Sequence, residues 1–307
     1  MGTQYHIRLP VTSSINDAPR WKQLQYDIDA LLLAINKEMS PYIEDSSISR
    51  FNQAKNTNWF PISREFLSVI NTAQSVSLDS QGAFDITVMP LVNLWGFGTL
   101  NKTSIPSQQQ IEYSLNQIGY QSLQTRQQPA AIRKQKPELS IDLSAIAKGY
   151  AVDAIGILLE KRGIKRYLVE IGGEIRVRGK NKQNQAWRIA IEKPTTLARS
   201  VQQGVLLKDG AIATSGDYRN YYEKEGKRYS HTINPKTGYP ITHKLASVTV
   251  LNKSAMVADA QATAIMVLGE KQGKVYALQQ GLMVYMIIRS EKGFSVWHNL
   301  HHDILMP

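Results

Sequence analysis

The chain contains no cysteine. Disulfide frameworks, thiolate metal centres and cysteine nucleophiles are therefore excluded. Long apolar runs are missing too: none approaches the roughly 18 residues of a membrane span, and no signal peptide is visible. There is no internal repeat, no low-complexity linker and no segment with the weak hydrophobicity of a disordered tract. Acidic residues are scarce relative to bases, 25 against 36, which leaves a formal net charge of +11. A surplus of that size favours anionic partners, among them phosphates, membrane surfaces and nucleic acid. The bases are scattered, and no helix-turn-helix, finger or RNP signature accompanies them, so a small phosphorylated ligand is the economical reading.

With 307 residues, 42% of them hydrophobic, the chain can bury a core as one large domain or two intimate ones. Three- and four-residue spacing of Leu24, Ile28, Leu31, Ile35 and Met39 predicts a helix from Trp21 to Met39. Further helices are expected over Arg64 to Leu78, Gln108 to Ile118, Ser144 to Arg162 with Ser144 as N-cap, and Ala255 to Leu268. Strands are expected at Tyr167 to Ile171, Glu174 to Arg178, Trp187 to Glu192 and Leu245 to Leu251. Val205 to Thr214, broken by Lys208-Asp209-Gly210, reads as a hairpin. Met283 to Arg289 and Phe294 to His298 read as a closing hairpin. Strands and helices do not alternate as βαβ units, so the class is α+β.

Three strings could carry chemistry. In Ile141-Asp142-Leu143-Ser144-Ala145-Ile146-Ala147-Lys148-Gly149, an apolar stretch delivers Asp142 to a helix mouth, whose free N–H groups suit an anion. Lys148 could add a point charge to a diphosphate there. The bland alternative is a capped surface helix with a solvated lysine. In Asp259-Ala260-Gln261-Ala262-Thr263, the carboxylate and hydroxyl stand one helical turn apart, and both are hard oxygen donors of the kind Mg²⁺ takes. A third oxygen would have to come from elsewhere, such as a backbone carbonyl near Ala145; an exposed Asp with a back-bonded Thr is the ordinary alternative. In Tyr229-Ser230-His231-Thr232-Ile233-Asn234-Pro235-Lys236-Thr237-Gly238, proline and glycine dictate a rigid loop that fixes His231, a natural base near neutral pH. Phosphate-binding Gly-rich loops, Gly-x-Gly-x-x-Gly and His-Glu-x-x-His are all absent.

Taken in order with Met1-Gly2-Thr3, Asp45-Ser46-Ser47-Ile48-Ser49-Arg50-Phe51-Asn52, Gly82-Ala83-Phe84-Asp85-Ile86-Thr87-Val88, Leu94-Trp95-Gly96-Phe97-Gly98 and Ile171-Gly172-Gly173-Glu174-Ile175, these strings resemble the ApbE family of FAD:protein FMN transferases. The resemblance spans nearly the whole chain and implies a single T-fold-like α+β domain over 1–307, with FAD in a central cleft. It implies Mg²⁺ on Asp259, Thr263 and the carbonyl of Ala145. It implies FAD contacts from Met1, Ala83, Phe84, Asp85, Asp142, Lys148 and Ile233, with His231 as base and Asp259 also essential to catalysis. The implied reaction transfers FMN from FAD to a Thr or Ser of an acceptor protein and releases AMP. Two competing readings keep the flavin site: an FAD pyrophosphatase, and a flavin-binding envelope protein without turnover. Nucleic-acid binding has only the charge behind it. The family pattern further implies a periplasmic or envelope lipoprotein, its leader and lipid anchor lying outside this sequence. Two departures stand out, Asn234 where the family has Asp before Pro and Glu174 where it has Asp after the glycine pair; both keep an oxygen acceptor.

Overall fold

The computed structural model describes residues 2–10, 18–99, 104–195, 200–218, 221–224 and 226–306. In chain order the elements begin with β1 (Tyr5–Arg8), α1 (Ala18–Met39), α2 (Ser47–Gln53), β2 (Phe60–Pro61), α3 (Arg64–Asp79), α4 (Met89–Leu94) and α5 (Gln108–Leu115). Next come β3 (Leu123–Arg126), β4 (Ala131–Lys134), α6 (Ala147–Lys161), β5 (Tyr167–Ile171), β6 (Glu174–Arg178), β7 (Trp187–Glu192) and β8 (Val201–Leu207). The remainder is β9 (Gly210–Gly216), β10 (Tyr221–Lys224), β11 (Lys227–Ser230), β12 (Leu245–Asn252), α7 (Ala255–Gln279), β13 (Met283–Ser290) and β14 (Gly293–His298).

The body is a seven-stranded sheet in the order β1-β5-β6-β9-β12-β13-β14. Every neighbouring pair runs antiparallel. Both faces are covered. Because successive side chains leave opposite faces of a strand, Tyr167, Val169 and Ile171 enter the main core while Leu168 enters a second one. In β13, Val284 and Met286 join the first core and Tyr285 and Ile287 the second. Helices α6 and α7 pack on the first face. The β7–β8 ribbon closes the other through Trp187, Ile189, Ile191 and Val205. A sheet covered twice explains why β12 reads as an almost continuous buried run rather than an alternating one.

Three sequence expectations are corrected. The stretch read as a hairpin from Val205 to Thr214 holds two strands that do not pair with each other: β8 bonds to β7, whereas β9 lies between β6 and β12. The Lys208-Asp209-Gly210 turn therefore carries the chain from one layer to the next. Second, the helix expected from Ser144 begins at Ala147. Ser144 does not cap it: the N-cap position falls on Ile146, two residues later, and Ser144 instead donates its N–H and hydroxyl to Asp142 Oδ1, at 2.8 and 2.6 Å. Third, the helix from Ala255 continues past Leu268 to Gln279 across a kink at Gly269, whose φ is +74°. The closing hairpin of β13 and β14 and the bounds of β5, β6 and β7 agree with expectation.

Candidate active site

Small residues let α6 and α7 approach closely. A Cβ at Gly149 would lie 2.3 Å from the carbonyl oxygen of Ala255 and 2.8 Å from Cα of Met256, so only glycine fits there. Alanines 258, 260, 262 and 264 of α7 are fully buried, as an apolar helix in the middle of a core requires. At this contact each helix caps the other. The N-cap residue of α6, Ile146, supplies no side-chain bond. Instead, Asp259 Oδ2 of α7 accepts the Gly149 N–H at 3.1 Å. In return Asp153 Oδ2 of α6 accepts the Met256 N–H at 3.0 Å and the hydroxyl of Ser254, the α7 N-cap, at 2.6 Å. A carboxylate at a helix N-terminus satisfies orphan donors and meets the positive end of the dipole. Arg176 Nη1 donates to Asp153 Oδ1 at 2.8 Å and balances its charge.

Asp259 is 3% exposed, and its Oδ1 makes no hydrogen bond among the described residues. Lys148 Nζ stands 3.5 Å from Asp259 Oδ2 and 3.1 Å from Glu174 Oε1. Burial works against the Lys148 ammonium, but Asp259 and then Glu174 outweigh it and hold its pKa above the ordinary lysine value. Burial pushes the Glu174 carboxyl up, the nearby Asp259 charge pushes it further, and Lys148 opposes both. Glu174 Oε2 is buried without a partner. Thr263, one turn beyond Asp259 on α7, shares a hydroxyl–hydroxyl bond of 3.2 Å with Ser215 of β9. Ala145 lies in the turn leading into α6, half-buried against the main core.

Four distant strings converge on this junction. Asn52 brackets Ile141, accepting its N–H and donating to its carbonyl, both at 2.8 Å. Buried Lys134 donates to the carbonyls of Phe51 and Leu139 at 3.0 Å each, tying the end of α2 to the same strand. Asp142 N–H donates to the carbonyl of Ile86 at 2.7 Å, which brings the Gly82 to Val88 string alongside. β1 pairs with β5, Tyr5 opposite Ile171, so Thr3 lies against the Gly172-Gly173 turn; a Cβ on Gly172 would sit 3.1 Å from Thr3 and 3.4 Å from Lys148 Cδ. Met1 lies outside the described residues.

The expected flavin contacts divide into two kinds. Lys148 and Asp142 are half-buried at the junction, whereas Ala83 and Phe84 are 3% and 2% exposed. Asp85 is committed to its own loop: Oδ1 accepts from Thr87 N and Oγ1 at 2.7 Å each, and Oδ2 accepts from Tyr120 N at 2.9 Å. Burial raises its pKa, against the pull of the Thr87 and Tyr120 bonds. Phe84 belongs to the main core, so these side chains are buried structure. On a neighbouring wall, His231 sits edge-on to Phe97 with ring centroids 6.4 Å apart. Phe97 stacks on Tyr222, Tyr222 on Tyr229, and Tyr229 on Trp95, at 5.2, 5.2 and 5.6 Å. Ile233 is buried in the cluster formed by Trp95, Ile111 and Tyr229, and its backbone bridges to Pro240 across the loop. The bond from Trp95 Nε1 to the Gly238 carbonyl at 2.8 Å makes that loop as rigid as its prolines suggest.

The order in which these strings are assembled meets its counterpart in known proteins: a family model described as the ApbE family matches residues 1–286. The chain belongs to the ApbE family. An FAD:protein FMN transferase of Vibrio cholerae is 45% identical over 296 residues, covering 96% of this chain and 87% of that protein. One from Escherichia coli K12 is 42% identical over 302 residues, covering 97% and 84%. Among solved structures, the flavin transferase ApbE from Vibrio cholerae superposes with a TM-score of 0.86 at 43% identity, covering 97% of this chain and 94% of that one. The ApbE protein from Thermotoga maritima gives 0.81 at 31% identity, covering 96% and 97%. The α+β body described above is thus the ApbE fold. Within it, sequence reasoning had named Asp259, Thr263, Lys148 and Asp142 for the junction. It had not recognised Glu174 as the second carboxylate on Lys148, or Gly149 as the point where the two helices touch.

Proposed function

We propose that this ApbE chain transfers the FMN half of FAD to a Thr or Ser hydroxyl of an acceptor protein, with Mg²⁺ held where α6 meets α7. The activity named for its relatives supports the flavin chemistry. The observation that carries the rest is the buried Asp259–Lys148–Glu174 cluster at a helix N-terminus. The donor set fits a hard divalent cation: a buried carboxylate with one oxygen unbonded and a hydroxyl one turn along, to which the family resemblance adds the Ala145 carbonyl from the turn before α6. When bound, Mg²⁺ would neutralise diphosphate charge and stabilise the charge that builds in the transition state.

The residues of the chain account for the remaining chemistry. The positive dipole end of α6 and the Lys148 ammonium receive the FAD diphosphate. His231, on its rigid loop, takes the proton from the acceptor hydroxyl as that oxygen bonds to the FMN-side phosphorus. The bond from this phosphorus to the bridging oxygen breaks, AMP leaves with that oxygen, and FMN stays in a phosphodiester link. Positioning and charge stabilisation supply most of the rate.

The test mixes the protein with FAD, Mg²⁺ and a candidate acceptor, then follows a covalent fluorescent band together with AMP. We expect the band with the unaltered chain and none with Asp259→Ala. A normal band with His231→Ala removes that residue from the role of base. AMP release undiminished by omitting the acceptor makes water the acceptor and the enzyme an FAD pyrophosphatase.

A further inference from the structure

Glu174 is 2% exposed and opens β6 directly after the Gly172-Gly173 turn. One of its oxygens is 3.1 Å from Lys148 Nζ, and the other, Oε2, is buried with no partner. A buried carboxylate oxygen left unpaired is costly, and proteins keep such atoms where another state supplies the partner. The Lys148 ammonium has three donors and is shared, leaning 0.4 Å closer to Glu174 than to Asp259, 3.1 against 3.5 Å. Its stem is confined, because Gly172 lies so near that an added Cβ would touch Lys148 Cδ at 3.4 Å. The ammonium can therefore move between the two carboxylates while its stem stays in place.

We propose that Glu174 is a positioning residue that takes full charge of the Lys148 ammonium when a divalent cation binds Asp259, freeing that carboxylate as a ligand while keeping Lys148 beside the diphosphate. This rests on the cation reading given above. A cation on Asp259 Oδ1 and an ammonium 3.5 Å from Oδ2 of the same carboxylate repel each other. Glu174 offers the displaced ammonium a second carboxylate within the same reach. The buried cluster then holds two carboxylates against an ammonium and a dication, instead of one ammonium alone.

The experiment measures Mn²⁺ binding to the FAD-free protein by electron paramagnetic resonance, with circular dichroism confirming that each variant is folded. Glu174→Gln preserves shape but cannot draw the ammonium away by charge. We expect its Mn²⁺ affinity to fall about tenfold, the lower end of what supporting groups around a metal contribute. In a Lys148→Met background the same Glu174→Gln change should have no further effect, because no ammonium is left to relocate. The Mg²⁺ concentration for half-maximal transfer should be raised in Glu174→Gln. An equal affinity loss in both backgrounds overturns the proposal and makes Glu174 a ligand or a purely structural group. If Lys148→Met fails to fold, Lys148→Gln takes its place. Absence of Mn²⁺ binding to the unaltered chain, or binding unaffected by Asp259→Asn, refutes the cation reading itself; binding lost in Asp259→Asn but unaltered in Glu174→Gln refutes only the role of Glu174.

Discussion

Replacing Gly149 by alanine isolates the helix contact on which the site is built. The new Cβ would stand 2.3 Å from the Ala255 carbonyl oxygen, about 1 Å short of ordinary van der Waals contact at 3.4 Å. The obstacle is backbone, so neither helix can yield by turning a side chain. Overpacking of this kind costs about 1–3 kcal/mol, and a backbone clash belongs near the upper end. Against it stands a gain of about 1 kcal/mol from alanine over glycine inside a helix. The net loss is about 2 kcal/mol. With an unfolding entropy of about 2.1 cal/mol/K per residue over 307 residues, the melting temperature should fall by only about 3 °C. Transfer should suffer far more. Relieving the clash separates Gly149 from Asp259, whose 3.1 Å bond marks the site, and a displacement of about 1 Å in a positioned constellation can cost about 100-fold in rate.

Gly156→Ala is the control, because its Cβ would meet only side-chain atoms, Tyr167 Oη at 2.8 Å and Arg176 Cδ at 3.0 Å. The assays are a thermal scan by circular dichroism and the initial rate of FMN transfer, run on both variants. A Gly149→Ala protein that keeps its rate within about twofold and its melting temperature unchanged would show that the contact does not position the site.

Lys134→Met should lower stability by about 2–3 kcal/mol in urea denaturation, since it strands the buried carbonyls of Phe51 and Leu139 that Nζ now satisfies at 3.0 Å. Asp153→Ala should cost about 2 kcal/mol by the same measurement, because it removes one of the two carboxylates on Arg176, leaving Glu160, and strands the Met256 N–H. Burial lowers the pKa of His243 below the ordinary 6.5, against its bond to the Met266 carbonyl and the charges of Glu270 and Asp217, with Arg289 adding to the depression. As pH falls through about 6.5 the unfolded chain takes up a proton that the folded protein resists, so this contribution to stability is full above that pH and declines below it. His243→Gln, which can still donate to Met266 but does not titrate, should narrow the difference in melting temperature between about pH 7.5 and about pH 5.5; an unaltered difference would refute the assignment.

Much of this architecture was legible because the relevant signals are local. Tyr167 to Ile171 and Glu174 to Arg178 are rich in β-formers and flank a glycine pair with φ of +62° and +107°, so strand, turn and strand follow from composition. The helix starting at Ala255 has Ser254 as a true N-cap, and its expected stop at Leu268 coincides with the kink at Gly269. What failed depends on partners far along the chain. Nothing near Lys208-Asp209-Gly210 says that β8 will bond to β7 while β9 enters the large sheet; that choice is made by which apolar face each strand must bury. Ser144 has the right residue type for a cap, but the helix starts only at Ala147, beyond its reach, while Ser144 folds back on Asp142. Short hairpin β10–β11 and helix α2 were missed because their apolar positions serve different clusters, without a period of their own.

The failed cap and the candidate cation site have one cause. A helix N-terminus without a local cap must find an acceptor elsewhere or leave its N–H groups unsatisfied. In this chain the acceptor for Gly149 is Asp259, a carboxylate brought in on α7 because glycine and alanine let the two helices touch. Only Oδ2 is needed for that bond, which leaves Oδ1 without a hydrogen-bond partner among the described residues. The helix end without a side-chain cap therefore fixes the carboxylate beside Lys148. It follows that Asp259→Asn, which keeps an acceptor for Gly149 but removes the charge a cation would take, should lower Mn²⁺ affinity with little loss of melting temperature; an unchanged affinity would refute this account.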